Sequence, residues 1–285
     1  MSATTIDTIV LVEPAPAKLN LALHVRARRA DGYHALETLF AFARDGDVVT
    51  LAPAERDSLS VTGPFAAAIG DDADNLVVRA LAAFRTAFGV DECYAISLDK
   101  RLPIASGIGG GSADAAATLR ALARRHGVGR DDARLDAVAR VLGADVPACL
   151  LGRAALGTGR GDDLVPTAGL DDCPALLVNP LEKVSTAAVF ARWDGVDRGA
   201  IGEGGTLALA LAGRNDLQPA AEAIAPAVRH LLEALGQQAG VILTRMSGSG
   251  ATCFALFDDG ATRDAAAAAI AAQHPAWWQL ATAVA

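Results

Sequence analysis

Pro103-Ile104-Ala105-Ser106-Gly107-Ile108-Gly109-Gly110-Gly111-Ser112 carries four glycines in ten residues. Before it, Tyr94-Ala95-Ile96-Ser97-Leu98 reads as a strand that runs into Lys100 and Arg101. After it, residues 113–126 place Ala115, Leu119, Leu122 and Ala123 at helical spacing, with Ser112 as the expected N-cap. Glycine admits positive φ and lets a ligand approach the main chain. The free N–H groups and dipole at a helix start favour an anion, and a phosphate is the natural guest. A plain turn would need only one glycine. The loop lacks the Gly-Lys-Ser/Thr ending of a Walker loop, and Ser112 stands where the dinucleotide fingerprint needs its third glycine.

Working outward, the 285 residues suffice for one large or two ordinary domains. With 52% hydrophobic and 20% charged residues the chain reads as globular. Its apolar runs are short and alanine-rich, as in residues 265–272, below the roughly 18 residues of a membrane span. Residues 1–7 have no basic stretch, and Glu13 interrupts Ile9-Val10-Leu11-Val12, which reads as a strand and not a signal peptide. Cys93, Cys149, Cys173 and Cys253 form no Cys-x-x-Cys pair, which suits buried thiols in a reducing cytoplasm and argues against zinc. A net charge of −8 argues against non-specific nucleic-acid binding. Any anionic ligand must be held by local bases and backbone amides. Of 25 basic residues only Lys18, Lys100 and Lys183 are lysines. A lysine kept in such a chain is wanted for its compact charge, which points at Lys18.

Strands are expected over 6–12, 18–26, 37–42, 47–51, 58–61, 94–98, 175–179, 240–244 and 251–257. Helices are expected over 75–88, 113–126, 131–142, 185–192, 206–212, 220–235 and 263–273. The glycines of 152–161 mark a candidate domain seam. The mixture lacks strict alternation and reads as α+β layers.

Lys18 and Asn20 of Pro16-Ala17-Lys18-Leu19-Asn20-Leu21 share one strand face. That face either lines a polar cleft or is solvated. Asp145 sits among Ala144, Val146, Ala148, Cys149 and Leu150. It is either a buried carboxylate in need of a partner or a cap for a helix with Pro147 in its first turn. Ser247-Gly248-Ser249-Gly250 is a hairpin turn or a second anion loop. Asp31-Gly32-Tyr33-His34 is a hairpin tip or a ligand contact, Tyr33 offering a stacking face and His34 a hydrogen bond.

Together these pieces resemble the GHMP kinases, the family of galactokinase, homoserine kinase and mevalonate kinase. Pro103 to Ser112 is similar to that family's Pro-x-x-x-Gly-Leu-Gly-Ser-Ser-like loop. The blocks Pro16 to Leu21, Asp31 to His34 with Glu37-Thr38-Leu39-Phe40, Leu102 to Asp114, Leu142 to Pro147, Asn215 to Leu217 and Met246 to Ala251 follow in the family's order over nearly the whole chain. The Ala17-to-Asn20 and Gly32-to-His34 blocks narrow the likeness to the branch whose acceptor is a cytidine-diphospho alcohol.

The resemblance implies an α+β, two-domain GHMP kinase fold. An N-terminal ribosomal-protein-S5-like domain over 1–157 and a C-terminal ferredoxin-like α/β-plait domain over 158–285 would face a shared cleft, with a left-handed βαβ unit. The implied activity is ATP-dependent phosphorylation of an alcohol, with Mg²⁺ held mainly by the nucleotide and Ser112 as its protein oxygen. ATP would lie on Pro103, Ile104, Ala105, Ser106, Gly107, Ile108, Gly109, Gly110, Gly111, Ser112 and Ala113, with Asn75 and Leu76 toward the adenine. Asp145 would be the general base and Lys18 its electrostatic partner. Asn20, Tyr33, His34, Thr186 and Phe190 would hold the cytidine end, and Ser247, Gly248, Ser249 and Gly250 would lie near the diphosphate. The implied protein is a cytoplasmic monomer or weak homodimer that binds neither nucleic acid nor membrane. The chain departs from the family in having Ala113 for the loop's second serine and Ala105 and Ser106 for glycines. A kinase of the same family for another alcohol and a phosphate-binding sensor are the alternatives. An acid and a lysine alongside a phosphate loop stand against the sensor.

Overall fold

The computed structural model describes residues 9–69 and 74–285. The chain divides into two compact units whose segments interleave along the sequence. The first comprises the segment ending at Ala15, Gly46–Ile104 and Gly110–Leu150, and the second Pro16–Asp45, Ala105–Gly109 and Leu151–Ala285. Two long strands, β1 (Leu11–Arg28) and β2 (His34–Ala54), run through both. The separate strands expected at 37–42 and 47–51 are thus one. Residues Thr38 to Phe40 pair with one partner strand and Val48 to Ala54 with another, and the two pairings keep the intervening Arg44-Asp45-Gly46 extended. Of the strand expected at 6–12, residues 6–8 lie outside the described residues, and Ile9 and Val10 precede β1.

In the first unit, β3 (Ser58–Thr62), α1 (Leu76–Phe88) and β4 (Cys93–Asp99) form a βαβ unit. β3 is parallel to β4 from Ser58↔Ala95 to Thr62↔Asp99, and β2 is antiparallel to β4 from Val48↔Asp99 to Ala54↔Cys93. Tyr94, Ile96 and Leu98 alternate inward. Asn75 starts α1 by accepting the Val77 N–H at 2.9 Å, and Gly89 ends it at φ +67°. α2 (Gly110–Arg125), α3 (Ala133–Leu142) and the six-residue α4 (Val146–Leu151) follow. α2 begins two residues before the expected cap, so Ser112 lies in its first turn and is not its N-cap. Gly109, at φ +65°, makes the entry turn, which leaves Gly110 and Gly111 free to be helical.

The last segment of the second unit opens with a hairpin of β5 (Ala155–Thr158) and β6 (Asp163–Pro166). Gly157, Gly159 and Gly161 of the glycine run lie in this hairpin, and Gly152 precedes it. Gly157 is required because a Cβ there would meet Gly161 O at 2.7 Å and the Phe40 ring at 2.8 Å. Then come β7 (Cys173–Asn179), α5 (Thr186–Ala191), α6 (Thr206–Ala212), α7 (Gln218–Ile224), α8 (Ala227–Gly236), β8 (Val241–Met246), β9 (Cys253–Phe257), α9 (Gly260–Gln273) and β10 (Trp278–Val284). The helix expected over 220–235 is two, because Pro226 has no N–H to continue α7 and caps α8 instead. The strands order β10-β7-β9-β8, all antiparallel, with helices after β7 and β9. This is a ferredoxin-like plait. Its core packs Leu176, Val178, Val228, Leu231, Leu235, Phe257 and Ile270.

Candidate active site

In the first unit the glycine-rich stretch becomes a helix start. The first N–H groups of the sixteen-residue α2 have no partner within the helix, and its dipole is positive there. Beneath this end lies an ion cluster that sequence reading missed. Lys100 Nζ donates to Asp114 at 2.6 Å and to Asp47, and all three residues are buried. Asp47 also accepts the N–H groups of Arg101 and Leu102, at 2.6 and 2.8 Å. Burial pushes the Asp114 carboxyl up to about 7, with Lys100 pulling down and Asp47 pushing up. The Asp114 Oδ1 atom is buried without a partner. The signal available in the sequence was lysine scarcity: Lys18 and Lys100 are each 3% exposed, while Lys183 is exposed.

Leu76 packs on the same helix start, its Cδ1 3.5 Å from where a Cβ on Gly111 would stand, and Asn75 is occupied as the α1 cap. Pro103 is buried and Ile104 is 41% exposed. Ala113 is buried inside α2. Asp145 is half-buried and directly precedes α4, its carbonyl accepting the Cys149 N–H at 3.1 Å. Among the described residues no group of three or more His, Cys, Asp or Glu side chains is set to hold a metal ion.

In the second unit, Lys18 and Asn20 do share a face, and that face is buried. Lys18 Nζ donates to Asn20 Oδ1 at 2.9 Å, Asn20 Nδ2 to Thr38 Oγ1 at 2.7 Å, and Thr38 Oγ1 to Ala22 O at 2.9 Å. This relay fixes the amide and aims the ammonium, which also lies 5.4 Å from the centre of the Phe40 ring. A solvated strand face is thereby excluded.

Residues Ala105 to Gly109 are stitched to two elements of this unit. Lys18 N–H donates to Ile108 O at 2.9 Å, Ser247 Oγ to Gly107 O at 2.9 Å and Thr252 N–H to Ser106 O at 3.1 Å. A Cβ on Gly107 would stand 2.4 Å from Ser247 O, and Gly107 has φ +81°. Ala105 keeps a left-handed φ of +51° where the resemblance has glycine. Ser247 to Gly250 connect β8 to β9, closed by Ser247 N–H on Thr252 O at 2.9 Å. Asn215 braces the connection through Met246 O and Gly248 O at 2.7 and 2.8 Å, and Thr186 and Ser249 share a hydroxyl hydrogen bond of 2.8 Å.

The tip between β1 and β2 carries Tyr33, 54% exposed, and His34, half-buried. The His34 ring lies 4.9 Å from Phe190 and edge-on to Trp193 at 5.7 Å. Burial, and then Arg28, hold His34 below its usual pKa, so the imidazole is neutral at pH 7. Its Nε2 and the Trp193 Nε1 are both buried without partners. Leaving a buried polar atom unpaired costs about 1–3 kcal/mol, which a ligand's hydrogen bond would recover. Trp193 had no sequence signal beyond its type.

All four cysteines are free thiols. Among the described residues no helix is long and apolar enough to cross a membrane.

Two family models match the chain: the GHMP kinases N terminal domain over residues 75–153 and the GHMP kinases C terminal over 195–276. A protein of Rhizorhabdus wittichii named 4-diphosphocytidyl-2-C-methyl-D-erythritol kinase is 53% identical over 94% of this chain and 92% of its own. One of the same name from Sphingopyxis alaskensis is 52% identical over 94% and 96%. A crystal structure of 4-(cytidine 5'-diphospho)-2C-methyl-D-erythritol kinase superposes with TM-score 0.78 at 33% identity, covering 96% of this chain and 99% of that one. Homoserine kinase from Cytophaga hutchinsonii shares the fold, with TM-score 0.72 at 19% identity and coverage of 99% and 96%. On near-full-length likeness to these proteins, together with both family domains and the plait, the chain belongs to the GHMP kinases, in the family of the 4-diphosphocytidyl-2-C-methyl-D-erythritol kinases.

Proposed function

We propose that the protein transfers the γ-phosphoryl group of ATP to the 2-hydroxyl of 4-diphosphocytidyl-2-C-methyl-D-erythritol, a step of isoprenoid precursor synthesis. The observation that carries this is the 53% identity over 94% of the chain to a relative of that name. Phosphoryl transfer asks mainly for positioning and charge neutralisation.

The first turn of α2, Gly110 to Ser112, would offer its amides to the polyphosphate, and Gly107 and Gly109 would hold the approach to it. Asn75 and Leu76 would lie toward the adenine. Asp145 would take the proton from the acceptor hydroxyl as its oxygen attacks the γ-phosphorus and ADP leaves. Lys18, aimed by Asn20 and Thr38, would keep that carboxylate ionised and steady the hydroxyl. His34, neutral and with an unpartnered Nε2, would hydrogen-bond the cytosine, with Tyr33 and Phe190 on its faces. Thr186 and the Ser247 to Gly250 connection would sit near the diphosphate. Ser112 would offer an oxygen to Mg²⁺, whose charge would neutralise the phosphates, with the ion held chiefly by the nucleotide. We further assign the ATP loop and Asp145 to a functional half 1–157, with 158–285 adding Thr186, Phe190 and the Ser247 to Gly250 connection to the acceptor contacts, in a protein that works in the cytoplasm as a monomer or weak homodimer.

Incubation with ATP, Mg²⁺ and 4-diphosphocytidyl-2-C-methyl-D-erythritol, followed by phosphorus NMR, tests the reading. A new phosphomonoester resonance appearing with ADP is expected. ATP binding without turnover would leave a sensor, and turnover on another alcohol alone would leave a sister kinase.

A further inference from the structure

The β5–β6 hairpin has no part in the function proposed so far, yet its tip reaches the hairpin tip that bears Tyr33. The Arg160 guanidinium carbon lies 5.3 Å from the centre of the Tyr33 ring. We infer that Arg160 is a positioning residue for the nucleobase, its guanidinium covering one face of Tyr33 so that the ring stands ready to stack on the cytosine with the other. The inference rests on the reading of Tyr33 as a cytidine contact.

Three observations make this an arranged contact. Arg160 is itself held: its Nε and Nη2 donate to Asp162 Oδ2 at 3.2 and 2.7 Å, its N–H donates to Asp162 Oδ1 at 3.2 Å, and Asp162 is 6% exposed. The hairpin tip is tied to β2, because Leu36 N–H donates to Gly159 O at 2.8 Å, two residues beyond His34. The Tyr33 main chain is fixed at both ends, its N–H on Asp31 at 3.1 Å and its carbonyl accepting Arg29 N–H at 2.8 Å, whereas the residue is 54% exposed. An aromatic side chain with a fixed backbone and a loose ring loses rotamer freedom when a ligand stacks on it. A cation parked on one face removes part of that cost beforehand.

The test is a double-mutant cycle on purified protein, with KM measured for the cytidine acceptor and for ATP. Arg160→Met is expected to raise the acceptor KM about two- to five-fold, the size of an exposed cation–π contact, while leaving kcat and the ATP KM unchanged. Arg160→Lys is expected to retain most of the wild-type acceptor KM. In a Tyr33→Ala background, Arg160→Met is expected to add nothing. The inference is overturned if Arg160→Met is silent while Tyr33→Ala raises the acceptor KM. It is overturned equally if the Arg160→Met effect persists in full without Tyr33, which would make Arg160 a direct contact of the anionic substrate. Should Tyr33→Ala leave the acceptor KM at its wild-type value, the reading of Tyr33 falls first and the inference with it.

Discussion

Lys100 Nζ lies 3.0 Å from the point where a side chain on Gly110 would begin. Helix α2 therefore starts on a glycine for want of room, although its backbone there is ordinary helix. Alanine at an unstrained helical glycine usually gains about 0.5–1 kcal/mol. Here the lysine is pinned between Asp47 and Asp114 and has nowhere to retreat. Overpacking of this kind costs about 1–3 kcal/mol and should decide the sign. Gly110→Ala is expected to lower the urea midpoint and raise the KM for ATP. An unchanged or higher midpoint would show that Lys100 can give way.

Asp145→Ala should lower kcat by about 10²-fold or more, the range of general acid–base catalysis, with little change in either KM. Asp145→Asn keeps the shape and removes the basic site, so it should lose comparable activity. Wild-type turnover in either protein would remove Asp145 from proton transfer.

Tyr33→Ala should raise the KM for the cytidine acceptor about fivefold or more and leave that for ATP nearly unchanged, since base–aromatic stacking contributes about 1–3 kcal/mol. Equal shifts for both substrates would place Tyr33 outside the base pocket.

A pH-dependent stability difference is expected at Glu92, which accepts hydrogen bonds from Arg125 and from the buried Tyr94 hydroxyl. Those bonds, Arg125 first, lower its pKa from 4.5 to about 2. A carboxylate with a depressed folded-state value stabilises above its unfolded value and loses that contribution as pH falls through the folded one. Wild type should therefore exceed Glu92→Gln in denaturation midpoint at pH 7, and the gap should shrink between pH 4.5 and 2. The gap will be modest, because the side chain is 38% exposed. A gap constant down to pH 2 would mean that packing, and not charge, holds the cluster.

Much of this was legible in the residues. The strand, glycine loop and helix around residue 107, the shared face of Lys18 and Asn20, and the helices begun near Asn75 and Asp131 each follow from local chemistry. What escaped depends on partners distant in sequence. Lys100 meets Asp47 from 53 positions away, and Arg160 meets Tyr33 from a hairpin far along the chain. β10 was missed because Gln279-Leu280-Ala281-Thr282-Ala283 has little apolar alternation, and its extended form comes from pairing with β7. Ser112 misled as a cap because glycines, poor in helices, were not expected to begin one. Pro226 was readable but overlooked.

The scarcity of lysine has a practical side. Of the three ε-amines, those of Lys18 and Lys100 are sequestered in the interior and that of Lys183 faces solvent. Activated esters should acylate this protein's lysines at one place, so that beside any α-amino group only one side chain would carry a dye.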